Sequence, residues 1–208
     1  MSRNAGRRFI RRAWTRVATG VRSRCKAVMW SWGRMGRGVR FGRGVFVLHP
    51  ERVSIGDGAS FGDRVEINNS PESEIVIGPG TRIESDCVIN VNRTGTLTIG
   101  AHSKINRFNV ISCNHRIEIG DHVMTAAFCH LLDANHGMAK DEVMRNQAKE
   151  FLPTRIGNDV WIGSMCTILA GSTIGDGVVV GANSTTRGTL EPYGVYVGSP
   201  VRLVRTRE

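Results

Sequence analysis

The pair Ile-Gly recurs in this 208-residue chain at 55–56, 77–78, 99–100, 119–120, 156–157 and 174–175. The intervals are 22, 22, 20, 37 and 18 residues, and self-similarity at periods of this size is the signature of a solenoid. Each interval divides into sixes: Ile55, Phe61, Ile67; Ile77, Ile83, Ile89; Ile99, Ile105, Ile111; and Ile156, Ile162, Ile168, Ile174, Val180. Two places before the next position of each series stands a small or branched residue: Ala59, Val65, Thr81, Cys87, Ser103, Val123, Val160, Cys166, Ser172, Val178 and Ser184. Side chains two apart on a strand share a face. Every six-residue unit therefore sends one small and one large side chain inward, and three units close one turn of a prism. The predicted fold is all-β, a parallel β-helix.

The residues in excess of this rule have a fixed place. Short insertions around Ser70-Pro71-Glu72 and Asn92-Arg93-Thr94 fall at the last corner of a coil, and a long excursion runs from about His136 to Pro153. A loop of that length inside a compact repeat points to function.

Aromatic residues make up 6% of the chain, as a narrow prism requires. The five cysteines form no Cys-x-x-Cys pair, and Cys87, Cys129 and Cys166 fall at the small inward position, which makes them packed thiols. That usage fits a reducing, cytoplasmic setting without disulfides. Charge is uneven. Residues 1–50 hold thirteen of the 28 Arg and Lys and no carboxylate before Glu51, so the net +10 is carried by the N-terminus. Ile10, Trp14, Val17, Val21, Val28 and Trp32 recur at near-helical spacing among these cations. The sequence thus divides into a basic helical arm over 1–45 and a solenoid over 46–208 that carries the loop 137–153. Such an arm suits an anionic membrane surface. It also suits a cap on the solenoid end, and a transit peptide or a nucleic-acid arm shares the same composition. No apolar run reaches the roughly 20 residues of a membrane-spanning helix, so the expected location is cytoplasmic, peripheral to the inner face of the membrane.

Asn135-His136 before a loop, Val160-Trp161-Ile162-Gly163-Ser164, Gly181-Ala182 and Gly198-Ser199-Pro200-Val201-Arg202 follow one another in order. With these motifs the stretch from about residue 50 to 205 resembles the hexapeptide-repeat acyltransferases, in particular the sugar O-acetyltransferase group. The resemblance implies a left-handed coil, an acetyl-CoA donor, no metal, and a homotrimer with sites between adjacent prisms. It implies His136 as the general base: an imidazole ordinarily titrates near neutrality and can take a proton from an attacking hydroxyl. Asn106 matches an asparagine that assists the acceptor, against the alternative of a turn residue. Asn114, which stands where related enzymes keep an acceptor-binding carboxylate, and Asp133 are the expected acceptor-binding residues, with orienting the imidazole or shaping a turn as the other roles open to Asp133. Trp161 is implied to line the pantetheine channel. Ser164 and Ala182 would let backbone approach that arm, and Arg187, Arg202 and Arg205 would meet the coenzyme phosphates.

Other histidines invite a zinc reading of the kind seen in γ-class carbonic anhydrases. His102 and His122 take outward places twenty residues apart, His115 falls at a small inward position and His130 near a corner. Their spacing lacks the close pairing that family shows. The expected activity is direct transfer of an acetyl group to a sugar hydroxyl in cell-surface polysaccharide or glycolipid synthesis. The alternatives are N-acetylation of an amino sugar or antibiotic, and a scaffold without catalysis.

Overall fold

The computed structural model describes Thr15–Arg16 and residues 34–208. Every six-residue unit becomes a short strand, and the strands stack into three parallel sheets that form the faces of a prism of about seven turns. Face one contains Arg34–Met35, Val53–Ile55, Glu74–Ile77, Thr96–Ile99, Arg116–Ile119, Thr154–Ile156, Thr173–Ile174 and Thr189–Leu190. Face two contains Arg40–Phe41, Ser60–Phe61, Arg82–Ile83, Lys104–Ile105, Met124–Thr125, Trp161–Ile162, Val179–Val180 and Gly194–Val197. Face three contains Phe46–Val47, Glu66–Asn69, Val88–Val91, Val110–Cys113, His130–Leu132, Thr167–Ile168 and Thr185–Thr186. Coil pairs with coil in register, as in Ile55↔Ile77 and Ile67↔Ile89.

The inward residues are those the six-residue rule selects. The aliphatic and small series are buried alike, from Ala59 and Val65 to Val178 and Ser184. Small polar side chains are admitted where they satisfy a corner carbonyl. Thr81 Oγ1 donates to Gly100 O at 2.6 Å and Ser103 Oγ to Gly120 O at 2.9 Å. Asn109 replaces an apolar residue because all its bonds are made: its amide donates to Asn106 O and Ala126 O, and its Oδ1 accepts from Cys129 N–H. A buried polar group paired in this way escapes the desolvation cost of an unpaired one.

The corners turn through left-handed backbone. Gly58 and Gly80 supply it without strain at φ 69° and 68°. On the edge between faces two and three the same conformation is held by Phe108, Phe128 and Met165. The two phenylalanine rings stack at 4.8 Å, and all three side chains are exposed. Bulky residues at positive φ are unusual, so this edge accepts backbone strain to display an apolar ladder.

Four expectations need correction. The solenoid does not begin at residue 46, because Arg34–Met35 and Arg40–Phe41 already pair in register with Ser54–Ile55 and Ser60–Phe61. Of the arm expected to be helical, Thr15–Arg16 form a short strand antiparallel to Phe46–Val47, and the remainder of 1–33 lies outside the described residues. His115 is exposed rather than inward. Its coil ends on the buried Cys113 and inserts Asn114-His115 before face one resumes, so the inward slot is already filled. The excursion opens earlier than His136. Ala134–His136 and Lys149–Phe151 pair antiparallel as a hairpin standing off the edge between faces three and one. At the far end, Ser199–Pro200 is cis, and Arg202–Thr206 folds back antiparallel to Gly194–Val197. Among the described residues no helix is long and apolar enough to cross a membrane.

Candidate functional site

His136 ends the outgoing strand of the hairpin, opposite Lys149, with its side chain exposed. Among the described residues no hydrogen bond holds its ring. The loop beyond it is closed by Gln147, whose Oε1 accepts from Ala139 N–H and whose amide donates to Ala139 O and Glu142 O. No motif pointed to Gln147; a lone glutamine in a polar loop carries no spacing that marks it as a staple. The tip exposes Met138, Val143 and Met144.

Asp133 lies at the root of this hairpin and is 0% exposed. Its carboxylate accepts from the backbone N–H groups of Asn114 at 2.8 Å, His115 at 2.7 Å and Arg116 at 2.7 Å. Its own carbonyl accepts from Leu152 N–H at 2.8 Å, which ties the returning leg to the outgoing one. Asp133 is thus spent on structure: it does not touch the His136 ring, and its buried carboxylate, taken up by backbone N–H groups, has no exposed face for the acceptor contact expected of it. Asn114 shares this edge, its amide 3.4 Å from the Asp133 carboxylate.

Asn106 stands on a different edge, between faces two and three. Its Oδ1 accepts from Arg107 N–H at 2.8 Å, the arrangement of a turn asparagine. One chain does not bring Asn106 and His136 together.

The donor-site residues separate into two groups. Trp161 is outward on face two and 51% exposed. Its register neighbours there are Met124, 50% exposed, on one side and Val179 on the other, followed by Val195 and then Arg205. Arg202 lies opposite Val197 in the same closing strand. At about 4.8 Å per strand, Trp161 and Arg205 are about 14 Å apart along an apolar track. Ser164 and Ala182 flank that track on the edge between faces two and three, where the corner amide of Asn183 donates to Ser164 O. Arg187 does not join them; it is exposed on the edge between faces three and one, directly after Thr186.

His102 and His122 do stack on the outside, with ring centroids 5.3 Å apart. His130 faces outward with its Nε2 3.0 Å from Ser112 Oγ, and partial desolvation of the ring lowers its pKa below the ordinary imidazole value. Among the described residues no three His, Cys, Asp or Glu side chains gather as a metal site. The thiols of Cys87, Cys113, Cys129 and Cys166 are all buried. Burial pushes Cys87 up to about 11 and, with help from the Asp133 charge, lifts Cys113 further. Cys129 and Cys166 donate to the carbonyls of Gly163 and Gly181 at 3.1 Å each. None of the four is presented as a nucleophile.

Residues 153–188 match the family model for the bacterial transferase hexapeptide, six repeats. A probable acetyltransferase of Mycobacterium tuberculosis is 36% identical over 151 residues, 71% of this chain and 49% of that protein. Galactoside O-acetyltransferase of Escherichia coli is 36% identical over 107 residues, 51% of this chain and 52% of its own length. The chain thus spans about half the length of these curated relatives. Among solved structures, LpxA from Acinetobacter baumannii superposes with a TM-score of 0.68 at 17% identity, covering 83% of this chain and 63% of that one. That likeness concerns the fold, a left-handed parallel β-helix, as expected. Periodicity, register and relatives agree: the chain belongs to the hexapeptide-repeat transferase family.

Proposed function

We propose that this protein is an acetyl-CoA-dependent O-acetyltransferase acting on a sugar hydroxyl, working as a homotrimer. The observation that carries this reading is one of level and edge. The hairpin bearing His136 leaves between the coil of Met124 and the coil of Trp161, which is the level at which the exposed apolar track on face two begins. It leaves, however, from the edge opposite face two. A second copy set alongside by rotation about a parallel axis would meet that track with His136 at the right height, whereas a single chain would not. The apolar ladder Phe108–Phe128–Met165, bordering face two, is a surface of the kind that self-association covers.

In this arrangement the pantetheine arm lies along Val195, Val179 and Trp161, with Arg202 and Arg205 at its phosphate end. Acetyl-CoA is the co-substrate that supplies the thioester, and coenzyme A leaves as its thiol. His136 of one copy takes the hydroxyl proton as the acceptor oxygen attacks the thioester carbonyl, and the tetrahedral intermediate collapses with loss of the thiolate. The acetyl group passes directly to the acceptor rather than through a cysteinyl thioester, in keeping with the burial of the described cysteines. The names of the relatives, a probable acetyltransferase and a galactoside O-acetyltransferase, support the acetyl donor and the sugar acceptor.

The test is release of free thiol from acetyl-CoA against a panel of sugars and sugar derivatives. Trp161→Ala is expected to raise the KM for acetyl-CoA by about tenfold or more with a smaller change in kcat, since an exposed aromatic wall contributes ground-state binding. An unchanged KM removes Trp161 from the donor track. Absence of thiol release with every acceptor, together with no stabilisation of the fold by acetyl-CoA at saturation, overturns the activity.

The arm is part of the same proposal. The nine cations of residues 1–33, which include no carboxylate, each contribute about 1 kcal/mol beside an anionic leaflet, weakened by salt. Full-length protein is expected to sediment with anionic vesicles at low salt and to be released as salt rises. A chain beginning at Arg34, which keeps every coil, is expected to stay in solution. Full-length protein that ignores such vesicles at low salt sinks the membrane role and leaves the cap.

A further inference from the structure

Face two continues past Met124 in the direction away from Trp161, and there its outward column changes character. Lys104 is the register neighbour of Met124, Arg82 of Lys104, and Ser60 and Arg40 follow. The other charged register pair among the described residues of the faces, Glu118↔Arg155, is opposite in sign and joined at 2.8 Å. Arg82↔Lys104 is the one like-charged register pair among the described residues of the three faces. Like charges set directly opposite destabilise a sheet, so this pair needs a reason. Neighbouring carboxylates offset the repulsion only in part. Arg82 has no ion-pair partner among the described residues, and Lys104 is held only at 3.7 Å from Glu84. Both side chains project outward.

These two cations border a shallow cavity of about 280 Å³ that Gly80, His102, Ser103 and Met124 complete. Gly80 leaves room for the His102 ring, which lies where a Cβ on residue 80 would be, its Nδ1 2.5 Å from that point. Ser103 is not a free donor, because its hydroxyl is engaged with Gly120 O and Val123 N–H. The cavity therefore offers a guanidinium fork, an ammonium and an imidazole edge, with the apolar Met124 as its wall toward Trp161.

We propose that this cavity is an acceptor subsite for a phosphoryl group, so that the sugar enters as a phosphate- or diphosphate-linked sugar. The inference rests on the reading of Trp161 and His136 as donor track and base. The order along face two is then phosphate cations, Met124, donor track and closing arginines. A planar guanidinium meets two phosphate oxygens at once, and an adjacent ammonium adds a point charge. An anion seated between Arg82 and Lys104 also removes the repulsion that the empty pair carries. The linked sugar would extend past Met124 to the level of the hairpin, where its hydroxyl meets the thioester. A diphosphate reaches this site either from a nucleotide sugar or from a lipid-linked sugar; both present the same group.

The experiment uses the full chain with coenzyme A at saturation, which occupies the Arg202 and Arg205 end. Inorganic pyrophosphate is expected to raise the melting temperature further, and Arg82→Gln with Lys104→Gln is expected to abolish that rise. Arg202→Ala should preserve it. A pyrophosphate effect that vanishes once coenzyme A is bound, or that survives the double substitution, overturns the proposal. In thiol release, the double variant should raise the KM for a diphosphate-linked sugar about tenfold or more and leave that for the free sugar unchanged. Equal KM changes for both also overturn it. A UDP-sugar and a short-chain polyprenyl diphosphate sugar, compared as acceptors, identify the source. If no acceptor releases thiol while pyrophosphate still stabilises through Arg82 and Lys104, the subsite stands and the acetyl-transfer reading fails.

Discussion

His136→Ala is expected to lower turnover by about two to four orders of magnitude, the range associated with losing a general base. Melting temperature and acetyl-CoA binding should stay close to the unmodified protein. The contrast follows from where the residue sits. Its ring is exposed at the end of a hairpin strand and makes no hydrogen bond among the described residues, and surface substitutions of that kind usually change stability by no more than about 0.5 kcal/mol. More than a tenth of normal turnover would take the base role away from it. The shared-site arrangement adds a sharper expectation. Mixed trimers of His136→Ala and Trp161→Ala chains, assayed at low acetyl-CoA, should regain up to roughly a quarter of normal activity, because one interface in four pairs an intact His136 with an intact Trp161. Chains that carry complete sites would regain nothing on mixing.

Much of the fold was legible because the β-helix repeats one simple physical demand. Each unit must bury one small and one large side chain, and the residues that meet it, from Ala59 and Phe61 to Val178 and Val180, are buried. Legibility fails where the count is broken. His115 obeys the six-residue arithmetic on paper, yet Asn114-His115 is an inserted corner and Cys113 already fills the core. The first two strands of the solenoid were missed for the opposite reason. Around Arg34 and Arg40 the inward partners are Met35 and Phe41 amid cations, with no Ile-Gly pair to mark the turn.

The site was legible in its parts rather than in its assembly. Motif and exposure agree at Trp161, an indole standing outward on face two beside the exposed Met124. Arg205 joins its column only because the chain reverses after Ser199-Pro200, and Arg187 leaves it because a corner intervenes. Neither consequence is visible in spacing. The like-charged pair Arg82 and Lys104 is 22 residues apart in sequence and adjacent in register. It became meaningful only once the faces were built, since charge repulsion acts across the ladder rather than along the chain.

In the proposed mechanism Asp133 serves the chemistry without touching it, and its replacement carries the second large effect. Asp133→Ala should destabilise the corner by about 3 kcal/mol or more, because it removes the carboxylate that the part-buried N–H groups of Asn114, His115 and Arg116 all donate to. Each lost charge-assisted bond ordinarily costs about 1.5–3 kcal/mol. A solenoid distributes its stability coil by coil, so the damage should be local before it is global. Amide hydrogen exchange should accelerate first at residues 114–116 and at Leu152, whose N–H bonds the Asp133 carbonyl. Turnover should fall with it, as the hairpin that sets the height of His136 loses its anchor. Asp133→Asn keeps the shape and one accepting oxygen, so its exchange rates and turnover should fall between those of the alanine variant and the unmodified protein. It should also keep acetyl-CoA affinity, because the donor track on face two is held by other coils. Unchanged exchange at 114–116 in the alanine variant would mean that the corner holds without the carboxylate. The tie between a buried aspartate and the placement of the base would then be broken.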